Sequence, residues 1–346
     1  MVTAPWWRPD RFARRRANLA ARGRILAAIR RFFAERGFVE VETPALQVSP
    51  GLEPHLQAMA VTVRDPAGGR RDRFLHTSPE FAMKKLLTAG ESRIFQLARV
   101  FRDAERSATH HPEFTMLEWY RAGADYRALM DDCRDLLIAC TDAAGCAALR
   151  WQGSDSAPRL PWEVLTVAEA FARHAGIDLL ASAPDPTAPS FELLAAAAAR
   201  AGIAPHAGDD WESLFFRIFL ERIEPQLGVP APTILTDYPI SMAALARPSP
   251  TDPRVAERFE LYVAGLELAN AFSELTDAAA QRRRFETDLA RKQALYGERY
   301  PIDEDFLSAL GAGFPESAGI ALGVDRLVML ACGADHIEDV LWAPVT

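Results

Sequence analysis

Side chains that could do chemistry are concentrated in a few segments of the 346-residue sequence. Three of these segments are residues 39–44, 101–120 and 319–327. Arg102 and Arg326 each offer a planar guanidinium, which binds phosphate or carboxylate oxygens bidentately. Glu267 and Glu274, in a fourth stretch, offer carboxylates of the kind that hold a hard cation such as Mg²⁺. Each of these residues alone is more typical of a surface ion pair, so only their joint occurrence indicates a site.

Common nucleotide and nucleophile motifs are absent from the sequence. There is no G-x-x-x-x-G-K-[ST] loop, no G-x-G-x-x-G behind a strand and no G-x-S-x-G elbow. A nucleotide would therefore have to be bound by side chains on a sheet rather than by a phosphate loop.

The elements that position these residues are short strands framed by helices. Helical spacing of apolar residues predicts helices at 11–36, 79–89, 125–145 and 278–296, and one opened by Gly323. Alternation predicts strands at 39–42, 59–63, 73–76, 94–102, 113–121, 233–237 and 256–263. Regular strand–helix alternation is missing, which favours an α+β fold with a mainly antiparallel sheet over a doubly wound one.

Charge and composition divide the chain unevenly. Residues 1–36 form a basic N-terminal helical arm, with ten arginines against Asp10 and Glu35. Its net charge of +8 leaves −16 for residues 37–346 in a chain of net charge −8. Residues 37–346, the acidic body of the chain, would therefore bind nucleic acid poorly in general, because their negative charge repels phosphates. The arm is either a solvated helix face or a contact for an acidic partner.

Residues 150–230 differ in character from their surroundings. This stretch is rich in Pro, Ala and Ser, and we interpret it as an insertion with helices at 166–175, 190–202 and 210–224. No apolar run approaches the ~18 residues that a membrane-spanning helix needs. No apolar region follows the N-terminal arginines, so a secretory signal is not expected. We therefore expect a cytoplasmic protein with no membrane partner.

The three segments, in this order, resemble the signature motifs of class II aminoacyl-tRNA synthetases. The likeness is closest to the lysyl subgroup and runs from about residue 20 to the end of the sequence, with supporting stretches at 77–80, 237–239 and 265–275. It implies that residues 37–346 form a class II catalytic core, a mainly antiparallel sheet flanked by helices. It also implies a homodimer whose interface includes Pro44.

Lysyl-tRNA synthetases place an OB-fold anticodon-binding domain before this core, and only 36 residues precede the first motif here. We therefore expect one of the freestanding paralogues, which adenylate (R)-β-lysine and attach it to a lysine of translation elongation factor P. Ala321 resembles the residue of these paralogues, which have alanine at this position where the synthetases have glycine. One methylene discriminates between substrates by about 1–3 kcal/mol, so this methyl group could separate α- from β-amino acids.

The resemblance also implies roles for individual residues. Arg102 would bridge the substrate carboxylate and the α-phosphate of ATP, Arg326 would hold the γ-phosphate, and Phe114 would stack on adenine opposite Arg326. The implied ATP-binding residues are Arg102, Asp103, Ala104, His111, Phe114, Glu267, Leu268, Gly323 and Arg326. Glu267 and Glu274 would hold Mg²⁺. The implied amino-acid-binding residues are Ser78, Pro79, Glu80, Glu118, Tyr120, Glu274 and Ala321.

Two physical expectations accompany these roles. Glu267 and Glu274 are seven residues apart, so an unbroken strand would point them to opposite faces. A turn or bulge near Asn270 must intervene if both serve one site. A buried cluster of carboxylates is costly without a cation, so the acidic residues predict a cationic ligand such as lysine or (R)-β-lysine.

Two positions depart from the motif of the family. Ala104 occupies the place of a glutamate, for which Glu105 could substitute, and His111 replaces an asparagine that contacts ATP. Two other functions stay open from the sequence. One is aminoacylation of tRNA, which the acidic body disfavours. The other is a non-catalytic module that binds lysine or ATP, which the two departures favour and the intact arginines and glutamates disfavour.

Overall fold

The computed structural model of the chain describes residues 5–345. The helices in this range are α1 (Pro9–Glu35), α2 (Glu80–Thr88), α3 (Tyr126–Ala144), α4 (Val167–Ala175), α5 (Phe191–Arg200), α6 (Trp211–Ile218), α7 (Ala278–Tyr296), α8 (Glu304–Gly311) and α9 (Val324–Cys332). The strands are β1 (Val39–Glu40), β2 (Leu46–Gln47), β3 (Ala60–Arg64), β4 (Arg70–Leu75), β5 (Arg93–Phe101), β6 (Glu113–Ala122), β7 (Leu149–Trp151), β8 (Ser154–Ser156), β9 (Glu163–Thr166), β10 (Thr233–Pro239), β11 (Val255–Val263), β12 (Leu266–Ser273) and β13 (Ser317–Gly323).

An eight-stranded sheet organises the molecule, with strand order β1-β5-β6-β13-β12-β11-β10-β9. Every neighbouring pair is antiparallel except the two at the edges, β1 with β5 and β10 with β9, which are parallel. Strands β2, β4 and β3 form a smaller sheet, and β7 pairs with β8. The predicted α+β class with a mainly antiparallel sheet is confirmed.

One face of the large sheet supports the main apolar core. Alternation along β6 sends Leu117 and Trp119 into this core, where they meet Phe33 of α1 and Leu327 of α9. Residues 116, 118 and 120 point to the opposite face of the same strand. The sheet thus has a closed apolar face and a second face on which polar side chains can be presented.

Helix α1 is bound to the main core through its apolar stripe. Ile25, Ile29 and Phe33 are fully buried there, and even two arginines, Arg15 and Arg22, are less than 10% exposed. The predicted boundary at residue 36 therefore marks a change in charge along the sequence and not a change of packing unit, because the helix packs as part of the core. The other predicted possibility, contact with an acidic partner, concerns the exposed arginines of the same helix.

The segment at 150–230 has an apolar cluster of its own. Helices α4, α5 and α6 pack around Phe171, Leu194 and Phe215, which are buried together. The helix predicted over 210–224 ends earlier than expected, at Ile218, and continues as a wider turn followed by a 3₁₀ turn at Glu224–Gln226. Pro225 lies in that last turn and has no N–H to continue an α-helix.

Several short elements were not predicted. They include the parallel edge strand β9 and helix α8, which is capped by Asp303. Among residues 5–345, no helix combines the length and apolarity that crossing a bilayer requires.

Candidate active site

The second face of the large sheet gathers the motif residues in register. On β6, Glu118 pairs with Gln96 of β5 and with Ala321 of β13, and Ala321 pairs in turn with Asn270 of β12. One row of residues thus runs across four strands. Ala321 lies directly beside Glu118, in the position of a pocket floor.

A β-bulge in β12 brings Glu267 and Glu274 to the same face. Tyr262 of β11 pairs with Glu267, whereas its neighbour Leu261 pairs with Ala269, so Leu268 is an extra residue. The extra residue reverses the alternation between the two glutamates. The expected irregularity is therefore present, two residues before Asn270.

The same bulge corrects the expectation for Leu268. Its side chain is 2% exposed and lies in the main core together with that of Ala269, on the far side of the sheet. The side chain therefore does not face the predicted nucleotide site. Only the backbone of Leu268 could contribute there.

Glu118 is held by two hydroxyl groups. Ser78 donates to one carboxylate oxygen at 2.5 Å and Tyr120 to the other at 2.9 Å. Burial raises the pKa of Glu118 to about 8, and the negative charge of Glu80 adds to this effect. A carboxyl group with this pKa is ready to ionise when a cation approaches.

Lys84, which the sequence analysis did not single out, supplies a cation to the acidic cluster. Its ammonium group forms ion pairs with both Glu80 and Glu274. Burial lowers the pKa of Lys84, but these two carboxylates raise it more, so the amine stays protonated. Among the described residues, neither oxygen of Glu274 receives a well-oriented hydrogen bond, so ion pairing is what balances its charge. The cluster therefore contains an internal cation in addition to any ligand.

Gly319 allows these side chains to approach each other. A Cβ atom at this position would lie 2.3 Å from Cε1 of Tyr120 and 2.5 Å from Oε1 of Glu274. Contacts this short are forbidden, so only glycine fits. By contrast, a Cβ on the predicted Gly323 would make ordinary contacts of 3.7–3.8 Å with the side chain of Arg326.

A cavity opens beside the acidic cluster, between the start of α2 and the loop after β2. Its lining includes Ser78, Glu80 and Glu53. Oε2 of Glu53 is buried without a partner among the described residues. Burial and then the charge of Glu80 raise the pKa of Glu53. The sequence analysis missed Glu53 because it lies in an irregular loop outside the motifs.

Arg326 connects the loop of the second motif to β12. Its guanidinium donates to the carbonyl oxygens of Glu267 at 2.8 Å and Thr109 at 3.3 Å, and to Nε2 of His110 at 2.7 Å. Arginine can only donate, so Nε2 of His110 accepts and its proton lies on Nδ1. Burial, followed by the charges of Arg326 and Arg102, lowers the pKa of His110 to about 4.

Arg102, the residue after β5, lies over the aromatic ring of Phe114 on β6. Its guanidinium carbon is 5.1 Å from the ring centroid of Phe114, and Nη1 is 3.9 Å from the carboxylate of Glu105. Nε of Arg102 is buried without a partner among the described residues. Glu105 thus reaches the arginine from the position after Ala104, whose φ of +59° turns the loop. Asp103 beside it is exposed and accepts a hydrogen bond from the N–H of Ala104.

His111 has a different role from the predicted contact with ATP. Its Nε2 accepts from the N–H of Val345 at 3.1 Å, so Nδ1 is protonated and donates to the carbonyl of Glu113 at 2.6 Å. The ring is only 2% exposed. Both nitrogens are used by the backbone, so the side chain anchors the C-terminal segment to the loop and has no polar ring atom left for a nucleotide.

Glu267 connects the two arginines electrostatically. Its carboxylate lies 3.9 Å from Nη1 of Arg326, and the positive charges of Arg326, Arg258 and Arg102 favour its ionised form. Glu260 accepts hydrogen bonds from Tyr238 and Tyr262 and pairs with Arg258. The sequence analysis assigned no role to Glu260 or Arg258, because a strand residue gives no signal until the strand partners are known.

One face of the sheet therefore carries Phe114, Glu118, Tyr120, Glu267, Glu274 and Ala321. Arg102 lies beside Phe114, and Arg326 donates to the carbonyl oxygen of Glu267. The side chains of Leu268 and His111 do not face this site. Two groups can be distinguished there. Arg102, Phe114, Glu267 and Arg326 surround one end. Glu80, Glu118, Tyr120 and Glu274 surround the other, with Ser78 and Pro79 at the start of α2.

This antiparallel sheet, with three sequence motifs meeting on its open face, defines a class of protein, and comparison with known families identifies it. A family model described as tRNA synthetases class II (D, K and N) matches residues 7–346. An elongation factor P–(R)-β-lysine ligase of Sodalis glossinidius is 44% identical over 327 residues, 94% of each chain. The ligases of the same name from Erwinia tasmaniensis and Proteus mirabilis are 43% and 41% identical, over 94% and 95% of each chain. The chain belongs to the class II tRNA synthetase family, in the group that contains these ligases.

Proposed function

We propose that this chain is an ATP-dependent, AMP-forming ligase that attaches a lysine-type amino acid, (R)-β-lysine, to a lysine side chain of translation elongation factor P. The relatives of that name, aligned over nearly the whole chain, support this function. The observation that carries the proposal is the acidic pocket of Glu80, Glu118 and Glu274 on the same sheet face as Arg102 and Arg326. Such a face suits a cationic amino acid next to a triphosphate.

The arginines would bind the anionic parts of the reactants. Arg102 would contact the substrate carboxylate and the α-phosphate, and Arg326 would contact the γ-phosphate after giving up its bonds to Thr109 and His110. Phe114 would stack on adenine. The carboxylate of the amino acid is anionic at pH 7 and can attack the α-phosphorus directly, so alignment and charge neutralisation replace a general base.

Glu267 and Glu274 would hold Mg²⁺ together with phosphate oxygens. They share a face because of the bulge, and Glu274 is also ion-paired with Lys84. In residues 5–345, no group of three or more His, Cys, Asp or Glu side chains is arranged to hold a metal. This fits Mg²⁺, which binds through one or two carboxylates plus substrate phosphates. When bound, it would neutralise charge on the phosphates.

The second step would transfer the activated acyl group. The acceptor amine attacks the carbonyl carbon of the adenylate, the bond from that carbon to the phosphate oxygen breaks, and an amide and AMP result. The acceptor ammonium must first lose a proton, which we assign to a non-bridging phosphate oxygen of the adenylate, so that the proton leaves with AMP. The three carboxylates would meanwhile hold the amines of the substrate.

Residues 37–346 would form the catalytic domain, with the segment at 150–230 as an insertion. Helix α1 would support this domain by packing against its main core. We also propose a homodimer formed through the first motif. Val39, Leu46 and Val48, on either side of Pro44, are 50%, 44% and 44% exposed. Val39 lies at the edge of the large sheet and Leu46 at the edge of the small one, so a partner could cover these apolar side chains. The protein would act in the cytoplasm, beside the translation machinery.

An acceptor competition tests the proposal. The protein is incubated with ATP, radiolabelled (R)-β-lysine or lysine, elongation factor P and tRNA in one mixture. We expect label on elongation factor P, together with release of AMP and pyrophosphate. Label on tRNA alone would instead establish aminoacylation of RNA, and no label with either isomer would favour a binding module.

A further inference from the structure

Lys84 places an ammonium group inside the acidic cluster of the pocket. Its side chain is 2% exposed, and it pairs with Glu80 four residues earlier in α2 and with Glu274 across the pocket. The rings of Phe272 and Phe306 flank the nitrogen, with centroids at 5.1 and 5.8 Å. Water is therefore excluded, and the ammonium fixes the two carboxylates relative to each other.

Stability alone is a weak reason for this arrangement. A buried ion pair is often no more stabilising than apolar residues of the same volume, because both charges lose their hydration. The surrounding aromatic rings would accept an apolar side chain at residue 84. The charge is better explained by what it does to the carboxylates.

The number of charges in the pocket matches a diamino acid. When all three ionise around a cationic ligand, Glu80, Glu118 and Glu274 provide three carboxylates, and Lys84 provides one ammonium. The cluster thus has two carboxylates more than it has cations. A lysine-type amino acid has two ammonium groups, and its own carboxylate would be taken by Arg102. An amino acid with a single ammonium would leave one buried carboxylate unpaired, which is costly.

Building on the proposed function, we propose that Lys84 is a positioning and specificity-determining residue. It orients Glu80 and Glu274 for the substrate amines and sets the pocket charge at the value that two ammonium groups neutralise. Lys84 does not touch the reacting atoms, so it acts through the two carboxylates that it orients, Glu80 and Glu274.

Pyrophosphate exchange on the purified full chain tests this inference, with KM determined separately for the amino acid and for ATP. We expect Lys84→Met to raise the KM for the amino acid by about tenfold or more, and the KM for ATP by a smaller factor because Glu274 is also proposed to hold Mg²⁺. Lys84→Arg, which keeps the charge, should recover much of the loss. Lys85→Met is the matched control, since its neighbouring ammonium pairs with Asp303 and Asp305 on α8 and should leave both KM values unchanged.

Charge compensation gives a second readout that a purely structural lysine would not produce. Glu80→Gln alone leaves only one excess carboxylate and should raise the KM for the amino acid. The double variant Lys84→Met/Glu80→Gln restores an excess of two and should bind the amino acid better than Glu80→Gln does. This comparison does not require Lys84→Met alone to fold.

Two results would overturn the inference. One is a Lys84→Met enzyme with an unchanged KM for the amino acid, and the other is a double variant no better than Glu80→Gln. Both require exchange by the unmodified protein. Absence of exchange by the unmodified protein with every lysine isomer would instead refute the proposed function.

Discussion

Arg22 of α1 forms a buried ion pair with Asp325, the residue before the motif arginine Arg326. The two side chains are 3% and 1% exposed. Arg22 also donates to Oγ1 of Thr115 at 2.8 Å, and Asp325 accepts from the N–H of Thr115 at 2.7 Å. Because Thr115 follows Phe114, the first helix fixes both segments that are proposed to bind ATP.

Arg22→Met should therefore destabilise the fold and weaken ATP binding together. Removal of one partner of a buried pair costs about 3–5 kcal/mol, because the other charge is left uncompensated. We expect this loss in urea unfolding and a raised KM for ATP at temperatures where the variant is folded. Arg30→Met is the control on the same helix, since its pair with Glu40 is exposed and worth less than about 1 kcal/mol. An Arg22→Met protein as stable as the control would contradict this assignment.

Gly319→Ala should damage the amino-acid pocket. The added methyl group would force Tyr120 and Glu274 apart, and overpacking of this kind costs about 1–3 kcal/mol. We expect a rise in the KM for the amino acid, measured by pyrophosphate exchange. Gly311→Ala, where a Cβ atom meets nothing within 4 Å, is the matched control and should behave like the unmodified protein. Equal kinetics for the two variants would show that Gly319 does not border the pocket.

Ala321→Gly should change the choice between lysine isomers. The methyl group lies opposite Glu118 on the pocket floor, and its removal frees about one methylene of volume. We expect the ratio of kcat/KM for (R)-β-lysine to that for α-lysine to shift by about 10- to 100-fold, which corresponds to about 1–3 kcal/mol. Competition between the two isomers in the transfer assay measures the ratio directly. A ratio unchanged within twofold would remove Ala321 from the specificity determinants.

Binding of the amino acid should strengthen as the pH rises towards 8. Burial, with the charge of Glu80, raises the pKa of Glu118 from 4.5 to about 8, so much of this carboxyl group is protonated at pH 7. The ionised form is the one that pairs with an ammonium, and the KM for the amino acid should fall by up to about tenfold per pH unit below the pKa. Glu118→Gln should flatten the profile between pH 6 and 8, and an equally steep profile in that variant would exclude Glu118 as the titrating group.

The same group predicts the opposite trend for stability without substrate. The raised pKa means that the folded state binds the Glu118 proton more tightly than the unfolded state does. The stabilising contribution of this proton to the free energy of unfolding is therefore full below pH 4.5 and is lost as the pH rises towards 8. Urea unfolding across this range measures the loss. The pH dependence should be smaller in Glu118→Gln than in the unmodified protein.

The sequence was most informative where local pattern determines structure. Alternation in residues 113–121 and the helical stripe of Ile25, Ile29 and Phe33 predicted β6 and α1 to within a few residues. The odd spacing of Glu267 and Glu274 even required a bulge, and one is present at Leu268. The first two inferences depend only on neighbouring residues, and the third also on the family resemblance that assigns both glutamates to one site.

Features that depend on tertiary contacts were not predictable in this way. Lys84 appears in the sequence as one of two adjacent helix lysines, and only the crossing of α2 over the sheet shows that it reaches Glu274. His111 reads as a variant nucleotide contact until Val345 is found against its ring. The parallel edge strand β9 has an ordinary composition, and its partner β10 lies almost 70 residues away.

The most direct test is ATP–pyrophosphate exchange with a panel of lysine-type amino acids, together with norleucine, which lacks the side-chain amine. The account predicts exchange with (R)-β-lysine or α-lysine, little with norleucine, and almost none in Arg102→Gln. Arg99→Gln should exchange normally, since Arg99 lies on β5 three residues before Arg102 and is more exposed. Equal exchange with norleucine, or activity that survives in Arg102→Gln, would contradict the claim that one sheet face aligns a diamine with a triphosphate.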